Sequence, residues 1–74
     1  MDSYIATFSS HYGALVFLDF LREKNVAAKL MPVPRKLSAS CGTCVAFATD
    51  QKIDFTGPEL EAVYRESRGG FSKI

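Results

Sequence analysis

The stretch YIATFSSHYGALVFLDFLREK (residues 4–24) holds the clearest pattern in the chain, a strand followed by a helix. Tyr4–Phe8 is rich in β-branched and aromatic residues, which is typical of a β-strand. Ser9 or Ser10 then provides an N-cap for a helix over Ala14–Lys24, because a serine side chain accepts hydrogen bonds from the N–H groups that open a helix. The sequence therefore predicts a strand that leads directly into a helix.

The predicted helix ends with basic residues in its last turn and with Asn25 as the stop. It is apolar on almost every side, whereas a helix in a two-layer fold needs only one apolar stripe. Val16 and Phe20 lie outside the stripe that would face the sheet, and these extra apolar residues predict a self-association surface and a homodimer. The residues expected to face the sheet are Leu15, Phe17, Leu18 and Leu21.

Four further segments follow. Ala28–Pro34 predicts an edge strand, because its two prolines lack the N–H group that a central ladder needs. In Cys44–Ala48, the larger side chains of Val45 and Phe47 alternate with small ones, and this period of two indicates a strand. In TGPELEAVYRES, residues 56–67, Thr56 and Glu59 have capping-box spacing and Pro58 lies in the first turn, so a second helix is expected. The last residues, GGFSKI, fit a short strand or a frayed tail.

The order strand, helix, strand, strand, helix, strand predicts an α+β fold. The specific expectation is one ferredoxin-like βαββαβ domain over residues 1–74, a two-layer sandwich whose antiparallel sheet carries both helices on one face. In that topology, the first helix begins at the sheet edge where the second strand turns into the third. The side chains expected to meet there are those of Ser9, Ser10, His11, Arg35, Lys36, Ser40 and Cys41.

The composition excludes several classes of protein. Nine basic and eight acidic residues give a net charge of +1, which argues against a nucleic-acid partner. The N-terminus does not resemble a signal peptide, and the apolar runs are too short to cross a bilayer, so we expect a cytoplasmic protein without a membrane partner. Two cysteines and one histidine leave a structural zinc site one ligand short, and no cofactor motif is present; we expect neither metal nor cofactor.

Both cysteines lie in SASCGTCVAFATD (residues 38–50) at Cys-x-x-Cys spacing. Cysteine reacts as the thiolate, which a helix N-terminus or a nearby cation stabilises. At the expected sheet edge, the N-terminus of the first helix and the cations His11 and Arg35 would lie near Cys41. Gly42, which has no side chain, leaves room for a second molecule to approach the sulfur. Ser38 and Ser40 could donate hydrogen bonds to the sulfur anion. Cys41 is therefore a candidate nucleophile, with a small buried apolar residue as the alternative.

Cys44 fits a structural strand residue, because the alternation of its strand explains a small side chain there. A disulfide with Cys41 is the other interpretation, with Cys44 as a resolving thiol. In an extended chain, residues three apart lie about 10 Å apart, beyond the Cα reach of about 7 Å for a disulfide. Such a bond would require residues 41–43 to form a tight turn.

Two segments, ATFSSHYGAL and LMPVPRKLSASCGTCVAF, resemble the selenium/sulfur (Se/S) carrier protein-like family of small bacterial proteins. The resemblance implies that Cys41 bears sulfur or selenium, as a persulfide or selenosulfide, and passes it to protein partners, as a carrier rather than a stand-alone enzyme. Cys44 departs from the family pattern, where an apolar or small residue is expected. The matching positions are Thr7, Phe8, Ser10, His11, Pro34, Arg35, Ser38, Ser40, Cys41 and Gly42.

Two alternatives stay open. One is a small dimerising binding or assembly module with incidental thiols, which a thiol of ordinary reactivity in a tight dimer would favour. The other is a thiol–disulfide redox protein, which requires a reversible bond between Cys41 and Cys44 under mild oxidation.

Overall fold

The computed structural model describes residues 2–37, 42–51 and 56–74 of the chain. Within these ranges one helix packs on a five-stranded antiparallel sheet whose strand order is β2-β3-β1-β4-β5. The α+β class and the antiparallel sheet are confirmed, whereas the two-helix ferredoxin-like βαββαβ arrangement is wrong. The elements are β1 (Asp2–Phe8), α1 (His11–Glu23), β2 (Ala27–Pro32), β3 (Thr43–Thr49), β4 (Leu60–Ser67) and β5 (Gly70–Lys73).

The first half of the chain forms a split βαβ unit. β3 pairs antiparallel with both β1 and β2, so β1 and β2 run parallel with β3 between them. β2 lies at the edge of the sheet, as its prolines predicted. β4 then pairs on the other side of β1. The connection that leads from β3 to β4 along the chain must therefore return along the sheet.

The described end of that return lies on the same face as α1. A Cβ atom added at Gly13 would lie 2.6 Å from the Pro58 carbonyl oxygen, and one added at Gly57 would lie 3.6 Å from the Phe17 ring. Residues 57 and 58 therefore pack against α1, on the face where the second helix was expected.

The second helix is replaced by a turn and by β4. The Leu60 N–H donates to the Gly57 carbonyl at 3.3 Å, and Glu59 at the third position of this turn has a φ of 60°. Proline at the second position and a positive φ at the third define a type II turn. The fixed φ of Pro58 thus fits the second position of a β-turn and does not start a helix.

A β-bulge explains why β4 resembles a helix in sequence. Leu60 and Val63 are three residues apart, a spacing that places two side chains on one face of a helix but on opposite faces of a regular strand. Thr7 pairs with Ala62 and Phe8 pairs with Leu60, so the register shifts by one residue. The shift lets both Leu60 and Val63 pack against the core.

Helix α1 begins at His11, three residues earlier than expected, and its ends are capped. Ser10 is the N-cap, and its Oγ accepts a hydrogen bond from the Gly13 N–H at 3.4 Å. Asn25 ends the helix in the left-handed conformation, with a φ of 61°. The Asn25 and Val26 N–H groups donate to the carbonyls of Arg22 and Leu21, each at 3.0 Å, which is a Schellman motif. The predicted stop at Asn25 is confirmed.

Phe17 lies at the centre of the core between α1 and the sheet. Its ring centroid is 5.4 Å from that of Phe8 and 5.6 Å from that of Phe47. Leu15, expected to face the sheet, is 41% exposed, whereas Phe20 packs against the core with the Lys24 ammonium 5.0 Å above its ring. The buried helix residues are Gly13, Ala14, Phe17, Leu18 and Leu21.

The chain ends in a strand rather than a frayed tail. β5 pairs with β4, and Ser67 and Gly70 form the pair that closes the hairpin. Beyond β5, the Ile74 N–H donates to the Val63 carbonyl at 3.0 Å. In the part of the chain that the structure describes, no helix is long and apolar enough to span a membrane.

Candidate functional site

One end of the sheet joins the start of α1 to the connection between β2 and β3. The strand register sets Thr7 of β1 and Met31 of β2 on either side of Cys44. The Gly42 carbonyl accepts a hydrogen bond from the Val33 N–H at 3.1 Å, which extends the ladder by one step. As the topology predicted, β1 and β2 end where β3 begins.

The N-terminus of α1 is built from three polar residues. His11 is exposed and is the first helical residue, and Ser10 caps the helix. The Ser9 N–H donates to the Glu59 carbonyl at 2.8 Å, so the junction is held against the type II turn at residues 57–60. The N-terminus of a helix carries a partial positive charge that stabilises an anion nearby.

Three of the predicted site residues, Ser38, Ser40 and Cys41, lie outside the described residues. The expected approach of Cys41 to His11 and to the helix N-terminus therefore stays a prediction. Gly42, next to Cys41 in the chain, is exposed. A Cβ atom built on Gly42 would have no heavy atom of the described residues within 4 Å, so those residues leave space at this position for an approaching molecule.

The turn that carries Arg35 and Lys36 lies beside the β4–β5 hairpin. The turn is closed by the Leu37 N–H, which donates to the Pro34 carbonyl at 3.0 Å. Arg35 and Lys36 are exposed, and they line a groove together with residues 66, 67 and 69–71 of the β4–β5 hairpin.

That hairpin turns at the end of the sheet where β1 begins, since Tyr4 pairs with Arg65, whereas α1 starts after the last residue of β1. The structure thus places Arg35 beside the hairpin, while its expected approach to Cys41 stays a prediction. The prediction had placed the whole β2–β3 connection at one edge of the sheet. The groove was missed because residues 56–67 were assigned to a helix, which removes the hairpin.

Cys44 is fully buried, and its Sγ donates to the Pro32 carbonyl at 3.7 Å. It lies on the sheet face opposite α1, which we call the open face. Thr7 is also buried there and donates from Oγ to the Ala62 carbonyl at 3.4 Å. These contacts fit the interpretation of Cys44 as a structural strand residue, while its role as a resolving thiol stays a prediction.

The open face carries a concave surface between β2 and β4. It has a volume of about 500 Å³, and its lining includes Lys29, Ala46, Ala48 and Glu66. Among the residues that the structure describes, no group of three or more His, Cys, Asp or Glu side chains could hold a metal ion.

The fold and the site define a small α+β protein with a candidate thiol in the segment that precedes β3. Comparison with family models matches residues 3–57 to the family described as "Putative Se/S carrier protein-like". The match covers well over half of the chain and includes both segments that resembled this family, so the chain belongs to it. Neither the comparison with curated proteins nor that with solved structures finds a match.

Proposed function

We propose that this protein carries a sulfur or selenium atom on Cys41 and passes it to a partner protein. The observation that carries the proposal is membership of the Se/S carrier protein-like family across residues 3–57, a range that includes Cys41. The partners in this scheme are donor and acceptor proteins of the cytoplasm, where reducing conditions keep a thiol available.

The transfer needs no external oxidant. The Cys41 thiolate attacks the outer sulfur of a donor persulfide, R–S–SH, and the S–S bond of the donor breaks. The donor leaves as the thiolate R–S⁻, and Cys41 becomes the persulfide Cys–S–SH. A donor that carries selenium as R–S–SeH reacts in the same way and leaves Cys–S–SeH. The acceptor thiolate then attacks the outer sulfur or selenium of the Cys41 adduct, the bond from that atom to the Cys41 sulfur breaks, and Cys41 leaves as its thiolate.

The geometry of the described residues supports a reactive thiol at this position. Gly42 is held one step beyond β3 by its hydrogen bond from Val33, and Cys41 is its neighbour in the chain. The N-terminus of α1, with His11 exposed on it, starts at the same end of the sheet. A positive end of a helix and an imidazolium both favour a thiolate over a thiol.

Mass spectrometry after incubation with a cysteine desulfurase and cysteine tests the proposal. We expect one added sulfur in the wild-type protein, none in Cys41→Ser, and an unchanged adduct in Cys44→Ser, because Cys44 is buried. Cys44→Ser is the matched control for the loss of a thiol. A wild-type protein without an adduct, or an adduct of equal size in Cys41→Ser, would contradict the proposal.

A second candidate function, an assembly module, is favoured by the outer surface of α1. Tyr12 is 64% exposed and Leu15 is 41% exposed, and residues three apart on a helix are neighbours. Sedimentation of the protein used for mass spectrometry separates the two functions. A tight dimer whose Cys41 takes up no sulfur favours assembly, and a monomer that takes up sulfur favours the carrier.

A further inference from the structure

The groove on the open face has the character of a small-molecule site. Its volume of about 500 Å³ lies within the range of about 300–1,000 Å³ that is usual for ligand pockets. Ala46 and Ala48 of the central strand β3 line it with small side chains, and Met31, Pro34 and Phe71 supply larger apolar ones. The floor is therefore flat and apolar, and the charged residues of the lining provide the polar contacts with a ligand.

Those charges lie on opposite sides of the groove. Lys29 lies on β2 and Glu66 on β4, with β3 and β1 between them. Lys29 is level with Tyr64, two residues before Glu66, so at about 4.8 Å between neighbouring strands and about 3.4 Å per residue along them, the two backbone positions are about 16 Å apart. A positive and a negative side chain thus face the groove from its two sides.

A second groove continues the first on the side of Glu66. The two share Pro34, Glu66 and Phe71, and the second adds Arg35 and Lys36. Along the combined groove, one cation lies at the β2 side, and an anion and two cations lie together at the hairpin side. This pattern complements a molecule with a carboxylate at one end and an ammonium with a second carboxylate at the other.

We propose that the combined groove binds a thiol tripeptide of the glutathione type. Such a molecule has two carboxylates, one ammonium and a thiol between its ends. Lys29 binds the single carboxylate, Glu66 binds the ammonium, and Arg35 with Lys36 binds the second carboxylate. An extended tripeptide spans about 10 Å, and the side chains of Lys29 and Glu66 cover the remaining distance between the strands.

The choice of a thiol peptide rests on the proposed function, whereas the pattern of charges does not. Pro34 lines both grooves and lies in the connection that carries Cys41. A tripeptide persulfide of this type is a sulfur donor, R–S–SH, whose outer sulfur the Cys41 thiolate attacks in the step described above. It leaves as the tripeptide thiolate, so atoms and electrons balance.

Amide chemical shifts of the full chain, titrated with reduced glutathione in the Cys41→Ser background, test the binding without thiol exchange. We expect saturable shifts that centre on Ala46, Ala48 and Phe71, with a Kd of about 1 mM or tighter. Lys29→Gln and Glu66→Gln should each weaken binding about threefold, as expected for one exposed charge pair. Arg22→Gln and Glu23→Gln, exposed on α1, are the matched controls and should leave the Kd unchanged.

Four results would overturn the inference. They are the absence of saturable shifts up to about 10 mM, shifts that centre outside the groove, equal affinity in Lys29→Gln and Glu66→Gln, and tighter binding of a longer peptide with the same end groups. The last of these would point to a segment of a partner protein as the occupant. If glutathione fails to bind while a desulfurase loads Cys41, only this inference fails. If glutathione binds while Cys41 stays unloaded, only the proposed function fails.

Discussion

At the scale of the single residue, Glu59 holds a backbone conformation that its side chain disfavours. Its φ of 60° is required by the third position of the type II turn, where glycine is the usual residue. The left-handed region costs a non-glycine residue about 1–2 kcal/mol, which exceeds the entropy that glycine loses on folding, about 0.5–1 kcal/mol. The Glu59 side chain offsets little of this backbone cost, since its hydrogen bond from the Ser9 hydroxyl is exposed and 3.5 Å long.

Glu59→Gly should therefore raise the free energy of unfolding by up to about 1 kcal/mol, measured by urea denaturation. Glu23→Gly is the matched control, because Glu23 is also exposed but lies in α1. It should lower the same free energy by about 0.5–1 kcal/mol. A Glu59→Gly variant that is less stable than the wild type would show that the turn does not strain this residue.

At the scale of the element, the first turn of α1 depends on a close approach to the turn at residues 57–60. In an isolated helix, alanine in place of Gly13 would stabilise by about 1 kcal/mol. Here the added Cβ would lie 2.6 Å from the Pro58 carbonyl oxygen, a backbone atom that cannot rotate away. Helix propensity and tertiary packing therefore act in opposite directions at this position.

We expect packing to prevail, so that Gly13→Ala lowers the free energy of unfolding by about 1–3 kcal/mol. Gly42→Ala is the control, since its Cβ would meet no heavy atom within 4 Å in the part of the chain that the structure describes; its effect should be within about 0.5 kcal/mol. Urea denaturation of the two variants gives the comparison. A more stable Gly13→Ala would mean that α1 and the turn do not approach each other this closely.

At the scale of the whole molecule, one cluster of buried side chains holds α1 to the sheet. Phe17 is buried in this cluster, with the rings of Phe8, Phe20 and Phe47 at centroid distances of 5.4, 6.0 and 5.6 Å. A chain of this length has a total stability of about 4–11 kcal/mol. The loss of one such aromatic side chain is a large part of that.

Phe17→Ala should lower the free energy of unfolding by about 3–5 kcal/mol and so lower the Tm. Thermal unfolding followed by circular dichroism measures the effect. Tyr12→Ala is the control on the same helix, because Tyr12 is 64% exposed. A small change in Tm for Phe17→Ala would indicate that the core is organised around other residues.

Local patterns predicted the elements of the first half of the chain. The β-branched run of β1, the serine N-cap, the Asn25 stop and the alternation of β3 all act through neighbours within a few residues. The second half differs, because Leu60 and Val63 have a spacing that suits a helix or a bulged strand equally well. The bulge opposite Phe8 decides between the two, and it depends on a strand far away in the sequence.

The sequence by itself determined the α+β class, the strand and helix that open the chain, the edge position of β2, the candidate thiol at Cys41 and the family. These follow from local propensity, capping chemistry and a segment of specific residues. Only the tertiary structure decided that residues 60–67 form a strand, that Arg35 lies at the β4–β5 hairpin, and that Lys29 and Glu66 face one groove. The physical reason is that strand pairing joins residues distant in the chain, and no local pattern specifies the partner.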